Sequence, residues 1–205
     1  MNDIEFAALL VSRVCHDLVS PIGAVVNGLE VLEDERDPGM RADAMKLVTS
    51  SAERAAARLQ FARIAFGAAG SSGAQLDLTE VGRMVHGLFN GSKVELDWRA
   101  APLNWPKDWA KLLMNAALLA ADSLPRGGRV LVTTTADAAT PGFTVRATGQ
   151  GARILEEVEK AARGEPKGPL DGRSIQPYLA HKLARVLNAG LTLIARDNEV
   201  ELAAG

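Results

Sequence analysis

Phe6, Leu10, Val14, Leu18, Ile22, Val25, Leu29 and Leu32 follow one another at steps of three or four. That period belongs to a helix, and no strand reproduces it, so the chain must begin with one long amphipathic helix. After Arg36-Asp37-Pro38-Gly39, read as a turn, Ala44, Leu47, Val48, Ser51, Ala55, Leu59 and Ala62 repeat the spacing with smaller side chains, which let helices approach closely. The chain up to Phe66 is therefore a helical hairpin. Two helices of this length cannot enclose their own apolar stripes, and a second copy completing a dimeric four-helix bundle is the economical remedy. A homodimer is predicted on that ground.

The grammar then changes. Gly67-Ala68-Ala69-Gly70-Ser71-Ser72-Gly73-Ala74 is too flexible for the interior of an element and divides the chain into residues 1–67 and 75–205. Beyond it the pattern predicts a helix over Leu78–Phe89, a strand over 94–98 and a helix over 107–124 opening at Pro106. Strands follow at 129–135 and 143–147, helical segments at 154–162 and Ile175–Leu187, and strands at 191–195 and 200–203. One sheet faced by helices, an α/β sandwich, fits that order.

The balance of 23 Lys+Arg against 25 Asp+Glu gives no basic footprint for a nucleic-acid backbone. The single cysteine, Cys15, excludes an internal disulfide, and no Cys/His spacing suits a structural metal. It reads as a small apolar residue, and a reducing cytoplasmic setting fits it. Asp3 and Glu5 stand where a secretory signal needs positive charge, and no apolar run approaches the roughly 20 residues of a membrane span. A soluble protein without a membrane partner is the expectation.

His16 carries the chemistry. It lies two residues from both Val14 and Leu18, so at about 100° per residue it points away from the apolar stripe and into solvent. Asp17 follows directly and can hold one ring nitrogen, as carboxylates do for other catalytic histidines. Pro21 removes a helical hydrogen bond to the Asp17 carbonyl and is expected to kink the helix below His16.

His16-Asp17-Leu18-Val19-Ser20-Pro21 resembles the phosphoacceptor box of dimeric sensor histidine kinases, where a histidine, an acidic residue and a proline lie together on the first helix of the dimerisation bundle. The resemblance implies that the second region is a Bergerat-type (GHKL-like) ATPase domain. Trp109 to Ala117 is similar to that domain's N box, with Asn115 in the place of the magnesium-liganding asparagine but Lys111 one turn earlier. Ala147-Thr148-Gly149-Gln150-Gly151 is similar to its adenine box with alanine replacing the aspartate. Ser174-Ile175-Gln176-Pro177-Tyr178-Leu179 stands where the glycine-rich phosphate loop belongs, and Pro177 and Tyr178 remove the freedom by which glycines bring N–H groups to phosphates. The domain is therefore expected to be degenerate, with Asn115, Gly149 and Gly151 kept as packing and turn residues.

A histidine box joined to such a domain resembles the ChpT-type histidine phosphotransferases of alphaproteobacterial phosphorelays. This implies a homodimer taking a phosphoryl group from the receiver of a hybrid histidine kinase onto His16 and passing it to response-regulator receivers of the CtrA or CpdR kind. It implies no cofactor of its own, Mg²⁺ coming with the receiver. An ATP-dependent histidine kinase and a receiver-docking scaffold without catalysis are the competing readings. Receiver docking is expected at Arg13, Ser20, Gly23, Ala24 and Asn27 on the first helix and at Ala52, Ala56, Leu59 and Gln60 at matching heights on the second. His86, His181, Trp98, Trp105 and Trp109 are read as structural, and Arg54, Arg58 and Arg63 as solvated.

Overall fold

The computed structural model describes residues 1–67 and 73–205, so most of the expected glycine-rich linker lies outside the described residues. Asn2 opens α1 (Asp3–Asp34): its side chain accepts from the Glu5 N–H while the Glu5 carboxylate accepts from the Asn2 N–H, a capping box. The helix continues through Pro21, which is buried. Pro38-Gly39 is not the turn. Asp37 caps α2 (Pro38–Ala65) by accepting from the Met40 N–H, with Pro38 in the first helical turn, where its missing N–H costs nothing and its φ is already helical. The turn is the short stretch before it. Arg41 donates to the carbonyls of Leu32 and Glu35, satisfying the end of α1, whose own last turn has no basic residue.

At Gly28, which is buried, α1 faces Ala44 and Val48 of α2; a Cβ there would stand 2.6 Å from Val48 Cγ2. Gly28→Ala gains helix propensity but forces the helices apart, and a net loss of about 1–2 kcal/mol is expected in urea denaturation.

The second region holds β1 (Gln75–Asp77), α3 (Leu78–Phe89), β2 (Val94–Arg99), β3 (Asn104–Pro106), α4 (Lys107–Asp122), β4 (Gly128–Thr134), β5 (Phe143–Thr148), α5 (Glu156–Ala162), α6 (Ile175–Leu187), β6 (Thr192–Arg196) and β7 (Glu199–Ala204). The five-stranded sheet runs β2-β4-β5-β7-β6, with β2 and β4 parallel and the other pairs antiparallel. Val130 and Val132, Val145 and Ala147, Val200 and Leu202 point to one buried face, the period-two alternation of a sheet covered on one side. Leu113, Met114, Ala117 and Ala120 of α4 fill that core. The helices and five-stranded sheet match expectation to within a few residues at their ends. The β1–β3 ribbon was not foreseen; it holds Trp105, fully buried and edge-on to Trp109 at 6.1 Å.

The apolar stripe of α1 was expected to form one continuous seam, and the structure divides it. Phe6 and Leu10 pack on the core of the second domain, Phe6 edge-on to Tyr178 of α6 at 6.2 Å. Val14 and Leu18 line a cavity beside Phe61. Ile22 and Leu29 remain 50% and 47% exposed, on an outer face with Val19 and Val26. Phe61 and Ala65 of α2 belong to the same buried cluster as Leu78, Val81 and Val85, so the boundary near residue 67 separates chain segments without separating cores. By length and composition α1 could cross a membrane, contrary to the sequence reading; its contacts with α2 and α6 give it a packed face instead.

Candidate active site

His16 sits halfway along α1 with 85% of its side chain exposed, as the helical arithmetic requires. Its Nδ1 lies 3.2 Å from Asp17 Oδ1. The other oxygen of Asp17 accepts from Arg13 Nε at 2.9 Å, one turn back on the same helix. Arg13 also donates through Nη1 to the Gly172 carbonyl at 3.1 Å, and its Nη2 is paired with Asp122 Oδ2 at 3.4 Å. Burial works against the Arg13 charge, but Asp122 and Asp17 more than offset it and hold the guanidinium above its ordinary pKa. Desolvation, only partly opposed by Arg13, raises the Asp122 carboxyl, although half of its side-chain surface reaches solvent.

Arg13, expected among the docking residues, is therefore committed to partners within the chain. Only 15% of its side chain is exposed and its donors are turned inward. Ser20, Asn27, Ala52, Ala56, Leu59 and Gln60 are exposed, while Gly23 and Ala24 are half-buried. Asp17 and Leu18 share a cavity with Arg58, Phe61 and Ala62, consistent with the height assigned to Leu59 and Gln60. Cys15 is exposed, its position beside His16 turning it outward too. Arg54 is half-buried and donates to Ser51 Oγ at 2.7 Å, and Arg58 is half-buried in the interdomain cavity, so of the three arginines Arg63 alone is the exposed one.

Sequence reasoning missed the far wall of the site. A cleft of about 310 Å³ beside His16 is lined by Asp122 and Ser123 at the end of α4, by Arg153, Leu155 and Val158 and by Arg173. Nothing in the local pattern around His16 announces residues more than a hundred positions away. The one available signal was Asp122 itself, a carboxylate in the last turn of a helix, where the macrodipole disfavours it.

The remnants of the nucleotide boxes are occupied by packing. Asn115 is fully buried; its amide donates to the Ala65 carbonyl at 3.1 Å and to the Lys111 carbonyl at 2.8 Å, and its Oδ1 accepts from Gln176 Nε2 at 3.0 Å. Lys111 Nζ donates to the Gly67 carbonyl at 3.0 Å. The two residues of the old N box thus fasten the end of α2 to the second domain. Ala147 is fully buried in β5, and Gly149 packs where a Cβ would stand 2.5 Å from the Gly127 carbonyl oxygen. Of the other histidines, His86 is exposed, and His181 stacks on Tyr178 at 6.1 Å with its imidazole pKa lowered by burial and further by Arg185.

Residues 78–199 match the family described as histidine phosphotransferase C-terminal domain. The protein phosphotransferase ChpT of Brucella abortus (strain 2308) is 38% identical over 205 residues, covering 100% of this chain and 97% of that protein. A solved bacterial phosphotransferase is similar with a TM-score of 0.90 and 37% identity, over 100% of this chain and 98% of its own. The catalytic domain of the histidine kinase ThkA shares the fold at 17% identity and a TM-score of 0.50, over 64% of this chain and 92% of its own. The helical hairpin joined to a GHKL-like α/β domain is thus the frame of a protein phosphotransferase acting by histidine phosphotransfer in a phosphorelay, and the chain belongs to the histidine phosphotransferase family, as a ChpT-type member.

Proposed function

We propose that His16 is the phosphoacceptor, taking the phosphoryl group from the receiver aspartate of a hybrid histidine kinase and passing it to response-regulator receivers of the CtrA or CpdR kind. The observation that carries this reading is a solvent-facing imidazole with Asp17 on its Nδ1. A carboxylate only accepts, so Nδ1 carries the proton and Nε2 presents its lone pair to the solvent side. That lone pair attacks phosphorus in line with the scissile bond. The P–O bond to the donor aspartate breaks, its carboxylate leaves with the electron pair, and the N–P bond forms. The imidazolium keeps its Nδ1 proton against Asp17, which balances the new charge as the triad carboxylate does for its histidine. Transfer to the next receiver is the same step reversed. Mg²⁺ and the acidic pocket arrive with the receiver, and this protein contributes a positioned imidazole.

No nucleotide of its own is part of this reading. Ala147 has no acceptor for an adenine amino group, the Asn115 side chain is committed to Ala65, Lys111 and Gln176, and Pro177 is buried. Calorimetry with Mg·ATP is expected to show no binding in the micromolar range; measurable affinity, with label taken from ATP alone, would favour a kinase. The outer face of the hairpin, with Ile22 and Leu29 about half exposed, supports closure by a second copy into a four-helix bundle. A receiver helix would lie across Ser20, Gly23, Ala24, Asn27, Ala52, Ala56, Leu59 and Gln60 in a cytoplasmic protein. Incubating the purified protein with a phosphorylated receiver and no ATP tests the whole: acid-labile, base-stable label on this chain supports transfer, and receiver binding without label would make it a scaffold.

A further inference from the structure

We propose that Arg13 is a positioning residue for transfer: it fixes the Asp17 carboxylate against His16 and fastens that pair to the second domain through Gly172 and Asp122. The proposal rests on the reading of His16 as phosphoacceptor.

An aspartate alone on a helix surface samples several rotamers, and an exposed ion pair at a spacing of four residues restrains it little. Asp17 is held differently. One oxygen accepts from Arg13 Nε at 2.9 Å, which leaves the other at 3.2 Å from the imidazole. Arg13 is itself immobilised, with 15% of its side chain exposed and its remaining nitrogens directed to the Gly172 carbonyl at 3.1 Å and to Asp122 at 3.4 Å. Its planar fork spreads its donors over three nitrogens and so reaches acceptors from three segments at once, whereas a lysine's three donors radiate from one atom. Asp122 closes α4, and no basic residue lies in that last turn. A carboxylate at the negative end of a helix works against its own helix, so its place here is accounted for by its partner. The second domain then has a use independent of nucleotide: it is the frame against which the orienting carboxylate of the phosphoacceptor is set.

The test uses the full-length protein in single-turnover transfer from a phosphorylated receiver domain, together with ¹⁵N NMR of the histidine side chains without any donor. Arg13→Gln is expected to lower the maximal transfer rate about 10- to 100-fold, the usual cost of losing a group that orients a functional histidine. The receiver concentration at half saturation should stay within about twofold, and the His16 ring should shift from the Nδ1–H tautomer toward Nε2–H. Arg13→Lys, which keeps the pair with Asp17 but loses the fork, should fall between. Asp122→Lys relieves the unfavourable charge at the end of α4 but sets a second cation beside Arg13, and is expected to slow transfer at least about threefold; it decides the matter if Arg13→Gln does not fold. Wild-type rate and tautomer in both Arg13→Gln and Asp122→Lys would overturn the proposal. A raised half-saturation with an unchanged maximal rate would overturn it as well, making Arg13 a docking residue. Should the wild-type protein take no label, the phosphoacceptor reading falls, while the donor-free tautomer still reports whether Arg13 and Asp122 set the ring.

Discussion

His16→Gln is expected to abolish phosphoryl acceptance, by at least about 10³-fold, while leaving the fold intact. The glutamine amide has no nucleophilic lone pair of comparable strength, and removing the nucleophile of a covalent mechanism removes the pathway rather than weakening it. The structural cost is small because the imidazole is 85% exposed and its side-chain partner among the described residues is Asp17, which Arg13 holds regardless. Exposed positions of this kind change stability by no more than about 0.5 kcal/mol, so the melting temperature should move by no more than about 2 °C. Label persisting on the variant would place the phosphoacceptor elsewhere.

The second large effect is expected at the outer face of the hairpin. Leu29→Asp should convert a dimer into monomers of 21.7 kDa in light scattering, with affinity lower by at least about 10³-fold. Leu29 is 47% exposed in the single chain, so the monomer tolerates the carboxylate, whereas a two-fold interface buries two unpaired copies of it at once. Several kcal/mol follow from that, and each 1.4 kcal/mol is tenfold in affinity. Leu18→Asp reads a different quantity, because Leu18 lines the cavity between hairpin and second domain; it should lower the stability of the chain itself. A dimer that survives Leu29→Asp would move the interface off this face.

What could be read from the sequence follows a physical line. The exposure of His16 was legible because the direction of a side chain on a helix depends only on its position in the period. Which neighbour covers each part of the stripe was not, since Phe6 and Ile22 obey the same period yet one packs on α6 and the other faces outward. Asp37-Pro38-Gly39 shows how a turn signal and a helix start share a vocabulary: the same proline that breaks a helix interior suits a first turn. Arg13 lies four residues before Asp17, the spacing of a helical ion pair, and that contact was available from the sequence. Its other partners lie 159 and 109 residues away in sequence, and no local pattern reaches so far. The departures from the nucleotide boxes at Ala147 and Pro177 were legible because they are a matter of which functional groups the sequence carries. That Asn115 survives as a tie to Ala65 and Gln176 required the packing to be seen.

The most direct measurement is ³¹P and ¹⁵N NMR of the full-length protein mixed with a phosphorylated receiver domain in Mg²⁺ and without ATP. The account predicts that the aspartyl phosphate signal decays as one phosphohistidine signal grows, bonded to Nε2 of His16 with the proton retained on Nδ1, and that His16→Gln gives none. Decay of the aspartyl phosphate to inorganic phosphate alone, or a phosphoryl group bonded to any other atom of this chain, would contradict it.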